Sequence, residues 1–294
     1  MKIEYDSQHD IYSELAKTRR TVLQPGTATV GAWRQDRIMD RLRPLVSSEQ
    51  TWLTVGDGNY GSEAAWIIAN GGRAHASDYS VSLLEIAREH GLIDEFSQQN
   101  AEKLGFEDDS FDFVLIKEAL HHFPRPWLAL YEAMRVCRYG VVLFEPNGEE
   151  PFFISNLLRR LRGKPYHTLY GFEKVGNFKY APNPRELEKF MLGLNLTTIA
   201  FCFFNDFWHS READDAPMQG GNRVQQRLRS KVFETIRHRD RLAKLGLVPF
   251  GKVGCCMFKS ENSYVNRDLK PRLQEVGWEV RCLPRNPFRN SITS

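Results

Sequence analysis

Val55-Gly56-Asp57-Gly58-Asn59-Tyr60-Gly61 is the stretch from which the fold of this 294-residue chain is read. It follows a short apolar run, residues 51–55, and leads into a helix-forming segment, 62–70. Gly56, Gly58 and Gly61 have the spacing G-x-G-x-x-G. Glycines so placed let a chain turn sharply out of a strand and let the backbone approach a bound nucleotide closely. Taken alone, the pattern also serves tight strand-to-helix packing. Asp78 strengthens it, because it stands at the end of a second strand-like run, 73–77. A carboxylate there accepts hydrogen bonds from both ribose hydroxyls. Its plainer role is to cap a helix starting near Ser80.

Outward from this loop the chain alternates. Helical segments at 62–70, 80–90 and 127–136 separate strand-like runs at 51–55, 73–77, 96–99, 111–116 and 140–144. Strands alternating with helices at this spacing predict a parallel sheet covered on both faces. After Pro146 the rhythm changes. A short helix near 154–161 and an aromatic-rich loop with Tyr166, His167, Tyr170, Phe172, Phe178 and Tyr180 precede a helix at 184–192. A strand at 196–204, a basic helix within 208–248 and a last strand at 252–259 complete the pattern. Upstream, residues 8–46 read as two helices broken at Gln24-Pro25-Gly26-Thr27.

Further stretches resemble the class I S-adenosylmethionine (SAM)-dependent methyltransferases of the small-molecule type. Ser77-Asp78-Tyr79-Ser80 is similar to that family's second-strand segment. Asn100-Ala101-Glu102-Lys103-Leu104, then 106–114, resembles the segment leading into the fourth strand. Ala119-Leu120-His121-His122-Phe123 and residues 130–136 resemble the helical stretch beyond that strand. The likeness covers roughly residues 50–150 in family order. It implies a Rossmann-like α/β fold with a seven-strand methyltransferase sheet, N-terminal helices and cap insertions. The expected domains are a helical cover, 1–48, and a core, 49–260, with insertions at 147–183 and 208–248. A C-terminal extension, 261–294, completes the chain.

The resemblance also implies that Gly56, Asp57, Gly58 and Gly61 wrap the methionine end of SAM. Asp78 takes the ribose, Tyr79 stacks on adenine, and Asn100, Ala101 and Glu102 border its amino group, with Lys117 shaping the pocket. Three departures stand out. Thr54 replaces the acid usual two places before the first glycine, Tyr60 lengthens the loop by one residue, and Asn100 replaces an Asp.

Methyl transfer from a sulfonium is an in-line displacement in which the protein supplies alignment and a dry pocket. A hydroxyl acceptor also needs a base. His121 and His122, just after the fourth strand, and Glu145, ending the fifth, stand where ligands bind in open α/β sheets. These are the candidate catalytic residues. Asp206 and His209 flank the end of the sixth strand, where Asp206 alternatively caps a turn. The expected reaction is O-methylation of a small molecule or glycoside. N- or C-methylation, a catalytically silent SAM-fold scaffold, and a nicotinamide oxidoreductase are the alternatives. The last lacks a Tyr-x-x-x-Lys or comparable pair.

Composition bounds the rest. A 41% hydrophobic, 26% charged chain is ordinary for a globular protein, and no apolar run is long enough to span a bilayer. The polar N-terminus does not resemble a secretory signal. The five cysteines have neither metal-ligand nor redox spacing, so no metal site is expected and they read as reduced thiols of a cytoplasmic protein. Residues 1–150 carry 24 acidic and 15 basic side chains, and residues 151–294 carry 13 and 25. An anionic partner therefore prefers the second half. Its centre is a helix with Val224, Leu228, Val232 and Ile236 on one stripe and arginines and lysines elsewhere. Such a face meets a membrane surface, an anionic or sugar-bearing acceptor, a nucleic acid, or only solvent. The stretch lacks interleaved aromatics and the chain lacks an RNA-binding module, which disfavours nucleic acid.

Overall fold

The computed structural model describes residues 28–148, 161, 163, 171–172, 178–259 and 265–288. The expectations for the leading helix before residue 28, for most of the 147–183 insertion and for Tyr166, His167 and Tyr170 lie outside these. In chain order the elements are α1 (Val30–Met39), a 3-10 turn (Asp40–Leu45), β1 (Thr51–Val55), α2 (Ser62–Ala69) and β2 (Arg73–Asp78). Next come α3 (Ser82–Glu89), β3 (Glu95–Gln98), β4 (Phe111–Lys117), a 3-10 turn (Leu120–His122), α4 (Pro126–Val136) and β5 (Cys137–Pro146). The second part holds α5 (Pro184–Gly193), β6 (Thr198–Phe204), α6 (Arg211–Asp214), α7 (Arg223–Lys244) and β7 (Lys252–Phe258). A π-turn (Val265–Leu269), α8 (Lys270–Glu275) and β8 (Glu279–Cys282) end it.

The strands form one sheet in the order β3-β2-β1-β4-β5-β7-β6-β8. The first five pair in parallel, whereas β7 runs antiparallel to both β5 and β6, and β8 antiparallel to β6. The α/β architecture is the one expected, with one correction: the sheet has eight strands rather than seven. The eighth comes from the C-terminal extension. Its four residues, Glu279–Cys282, alternate polar and apolar with both ends exposed, a run too short to mark a strand by pattern, so pairing with β6 defines it.

Two apolar layers sandwich the sheet. On one side, the inward residues of β1, β4, β5, β6 and β7 pack on α4 and α5. On the other, Trp52 stacks on Phe113 at 4.8 Å and Phe144 meets Trp278 at 6.0 Å. Here α1 and its following turn lie beside Leu269, Leu273 and Trp278 of the extension. Fully burying such side chains contributes about 2–3 kcal/mol each. β4, apolar on both faces, is the near-continuous run expected of a central parallel strand.

All five cysteines are free; burial pushes Cys137 and Cys202 up to about 12. Among the described residues no helix is long and apolar enough to cross a membrane.

Candidate functional site

The parallel strands end at one edge of the sheet, and the glycine loop, Asp78, the turn after β4 and the end of β5 meet there. Gly56 and Asp57 donate their backbone N–H groups to the Ser77 carbonyl at 2.9 and 3.1 Å. The Ser77 hydroxyl donates to the Thr54 carbonyl at 2.7 Å, so the loop is laid along the end of β2. Gly56 has φ +78°, and a Cβ there would overlap the Ala119 Cβ. A Cβ on Gly58 would lie 2.7 Å from Oδ2 of Asp78. The absent side chains thus let the Asp78 carboxylate and the turn after β4 close on the loop. Tyr60, the added residue, takes a left-handed φ of +60° and buries its ring beside Leu84 and Ile93. Extra loop length is absorbed into the layer beneath α3 instead of filling the crevice.

Asp78 accepts from the Ser80 N–H at 2.8 Å, which turns the chain toward α3, while its other oxygen faces Gly58. Burial pushes its carboxyl up to about 6, against the opposing pull of the Ser80, Gly58 and Tyr79 N–H groups. This environment fits a carboxylate awaiting donors. Two ribose hydroxyls would restore the hydrogen bonding that burial removed. Tyr79, half-buried, follows directly and accepts at its carbonyl from Gln98 Nε2 at 2.9 Å.

Under the loop lies a cluster that the sequence reading missed in part. The Asp57 carboxylate turns inward, accepting from Thr54 Oγ1 and the Ala64 N–H at 2.9 Å each and from the Glu63 N–H at 3.2 Å. It caps the start of α2. Thr54, standing where the family has an acid, is a donor to an acid supplied from within the loop. Glu63, buried on the first turn of α2, accepts from Lys117 Nζ at 2.7 Å and from Gln35 Nε2 of α1 at 3.0 Å. Burial alone would raise Glu63, but Lys117 holds it at about 2. Burial and the Glu63 charge drive Asp57 well above the usual carboxylate range. Burial thus disfavours charge on Asp57, while the Lys117 ammonium favours the charged form of Glu63. Glu63 lies seven residues after the first glycine, and an acid on the first turn of a loop-following helix was the signal that could have found it.

The Asn100 side chain accepts from the Glu102 N–H at 2.9 Å and shapes a tight turn, with Ala101 buried in the core. Glu102 accepts from the Arg125 N–H at 2.7 Å and from Arg125 Nε at 2.5 Å, which secures the entry to α4.

The candidate catalytic residues also come together. Glu145 has no exposed surface. One of its oxygens accepts from the N–H groups of Ala119 and Leu120 at 3.0 and 2.8 Å, and the other meets His121 Nδ1 at 2.5 Å. Both oxygens are thus committed inside the protein, and His121 is itself buried beside Glu145. His122 lies against His121 with ring centroids 3.9 Å apart. Glu118 holds a left-handed φ of +54° and accepts from Lys252 Nζ at the same edge.

Asp206 accepts from Arg34 Nε at 2.8 Å, and Arg34 also donates to Asp214 at 2.9 Å. Burial would raise Asp206, but Arg34 holds it below the usual carboxylate range. Its carboxylate ties α1 to the end of β6, and His209 stacks on Phe207 at 5.9 Å. Of the aromatic insertion, Phe178 packs on Tyr180 at 6.3 Å and Tyr180 on Trp127 of α4 at 5.7 Å. These contacts fasten the insertion to the core.

Residues 53–144 match the family model described as a methyltransferase domain. Over 140 residues, 45% of the chain, the sequence is 32% identical to the "Ubiquinone/menaquinone biosynthesis C-methyltransferase UbiE" of Brucella abortus (strain S19) and covers 52% of it. Over 83 residues, 27% of the chain, it is 36% identical to a "Demethylmenaquinone methyltransferase" of Clavibacter sepedonicus and covers 34% of it. The chain thus spans about half the length, or less, of these curated relatives. Among solved structures, the complex of the Haloferax volcanii Trm112 methyltransferase activator with a methyltransferase superposes with a TM-score of 0.51. The match is 15% identical and covers 88% of this chain and 97% of that one, a likeness of fold. The matching stretch, residues 53–144, takes in the glycine loop, Asp78 and the turn after β4, and it is this part of the chain that is similar to a methyltransferase domain.

Proposed function

We propose that this protein transfers a methyl group from S-adenosylmethionine to a small-molecule acceptor, and that the atom methylated is an oxygen. The cofactor, when bound, supplies an electrophilic methyl on a sulfonium centre. Gly56, Gly58 and Gly61 let the loop close on its methionine end, with Asp57 holding the loop's shape from below. Asp78 accepts from the ribose hydroxyls. Tyr79, Asn100 and Ala101 border the adenine, while Glu102 and Lys117 set the walls from behind through Arg125 and Glu63.

The buried Glu145–His121 pair carries the reading of the chemistry. A carboxylate with no exposure, bonded to one ring nitrogen, sets the tautomer of the imidazole and steadies it when it gains a proton. His121 Nε2 is then the group that takes the acceptor's proton. His122, tilted against it at 3.9 Å between ring centroids, lines the acceptor side. A sugar-bearing or anionic acceptor suits the aromatic insertion and the positive second half.

Incubation with labelled SAM and a panel of hydroxylated acceptors tests this. Turnover that His121→Ala abolishes while SAM binding persists supports it. SAM binding without turnover on any acceptor would favour a scaffold, and tight NAD binding without SAM binding would overturn the cofactor assignment. A second reading, C-methylation, draws on the activity for which the Brucella relative is named. A hydroxyl-bearing ring deprotonated by the same His121 becomes nucleophilic at carbon. NMR of the product separates the two, because a methyl on oxygen and a methyl on carbon differ in chemical shift although the products have equal mass.

A further inference from the structure

Helix α7 presents a basic face that the proposed reaction does not use. Over its 22 residues, about 33 Å long, Val232 and Ile236 are buried with Val30 of α1 and Ala213 of α6, and Ala243 is buried further along the same side. On the opposite side Arg223, Arg227, Lys231, Arg237, Arg241 and Lys244 are all exposed and fall on one broad stripe at helical spacing. Among the described residues none of these six side chains is held by a carboxylate. The acids nearby do not neutralise the stripe. Asp240 turns to Arg37 and Asn205, which leaves Glu234 as the acid among the cations. Arg223, Arg227 and Lys231 also line an open groove of about 450 Å³.

At the C-terminal end of this stripe Leu245 is 72% exposed and Leu247 48% exposed, and Val224 stands 64% exposed at the other end. Aliphatic side chains flanking a row of cations suit an interface in which charge meets headgroups and apolar groups enter the acyl boundary. They give bases nothing to stack on, so a nucleic acid is served poorly. Placement adds to this. The segment carrying α7 joins the end of β6 to the start of β7, at the edge of the sheet where the glycine loop and Glu145 lie. Trp33 of α1 packs on Phe233 of α7 at 4.5 Å, and α1 reaches the loop cluster through Gln35.

We propose that the exposed face of α7 docks the protein on an anionic lipid bilayer, with the ligand edge of the sheet held near the membrane surface. The proposal does not depend on which atom is methylated. Cosedimentation of the full chain with vesicles tests it, comparing pure phosphatidylcholine with a mixture holding about one-third phosphatidylglycerol. Binding to the anionic vesicles alone, weakened by salt, is expected. The triple variant Arg227→Glu, Lys231→Glu, Arg241→Glu should weaken it at least about thirtyfold. A variant with the same charge change elsewhere, Arg185→Glu, Arg267→Glu, Arg272→Glu, should bind within about threefold of the unaltered protein. Glutamine at the same three α7 positions should give an intermediate loss and guards against misfolding of the charge reversal. No binding to anionic vesicles, equal loss in both triple variants, or displacement from vesicles by an equal charge of duplex DNA would overturn the proposal.

Discussion

The two ends of the sheet obey different rules. From β3 to β5 the strands are parallel and the sequence is acidic, and nearly every polar side chain at the ligand edge is drawn into a tight arrangement. Asp57 caps α2, Lys117 pairs with Glu63, Glu102 secures α4, and Glu145 is bonded to His121. From β7 to β8 the strands are antiparallel and the sequence is basic. Its buried contribution is mainly apolar (Phe201, Cys255, Cys256, Leu273, Trp278), with Thr197, Thr198 and Asn205 among its buried polar residues, and most of its charge remains in solvent. The first half therefore spends its buried polar groups on a crevice. The second supplies packing on the inside and charge on the outside.

If that division is right, damage to the first half should remove chemistry without unfolding the protein, and damage to the second should do the reverse. The largest effect is expected from His121→Ala, which should lower turnover by about a thousandfold while SAM affinity, read by calorimetry, stays near that of the unaltered protein. Glu145→Gln keeps the shape but not the charge, and should lower turnover by about 10–100-fold. A wholly structural role for the pair would instead lower thermal stability in proportion to activity.

Leu273→Ala is the counterpart in the second half. The side chain is fully buried against the α1 layer, and its loss should cost about 3 kcal/mol in denaturant unfolding with SAM affinity unchanged. A large loss of SAM affinity there would show that the halves are coupled.

Asp78→Asn should weaken SAM about tenfold or more in calorimetry, since an amide cannot accept from both ribose hydroxyls. The same group sets a pH dependence. Its carboxyl titrates near 6 in the free protein, so the accepting form is lost as pH falls through that value, and affinity should decline below about pH 6. The sign for folding is opposite. A carboxyl raised above its unfolded value disfavours the folded state where it is ionised, so its contribution improves as pH falls through 6 toward the unfolded value near 4. Asp78→Asn should flatten both trends. The smallest effect belongs to Val224→Ala on the exposed end of α7, expected within about 0.5 kcal/mol of neutral.

Much of the first half could be read from local pattern. A glycine spacing after an apolar run, an acid ending the next strand, and strands separated by helices all lie within short windows. The positions of His121, His122 and Glu145 at one edge followed from counting strands. The partnerships did not. Glu63 and Lys117 are 54 residues apart, and Arg34 reaches Asp206 and Asp214 across more than 170. Nothing in a window around Asp57 says that its carboxylate turns inward to cap α2. Strand β8 is not legible in the sequence because an alternation of only four residues, two of them exposed, is too short to stand out. The antiparallel turn of β7 was likewise open, since a buried strand reads the same in either direction.

What the amino-acid order settled unaided was the α/β alternation, the loop and carboxylate that mark the crevice, and the charge contrast between halves, because each is carried by neighbours along the chain. Tertiary structure alone decided which acids are buried and beside what partners, which nitrogen of His121 is engaged and where the last strand pairs. Those outcomes depend on desolvation and on partners brought together from distant positions, and neither exists until the layers close.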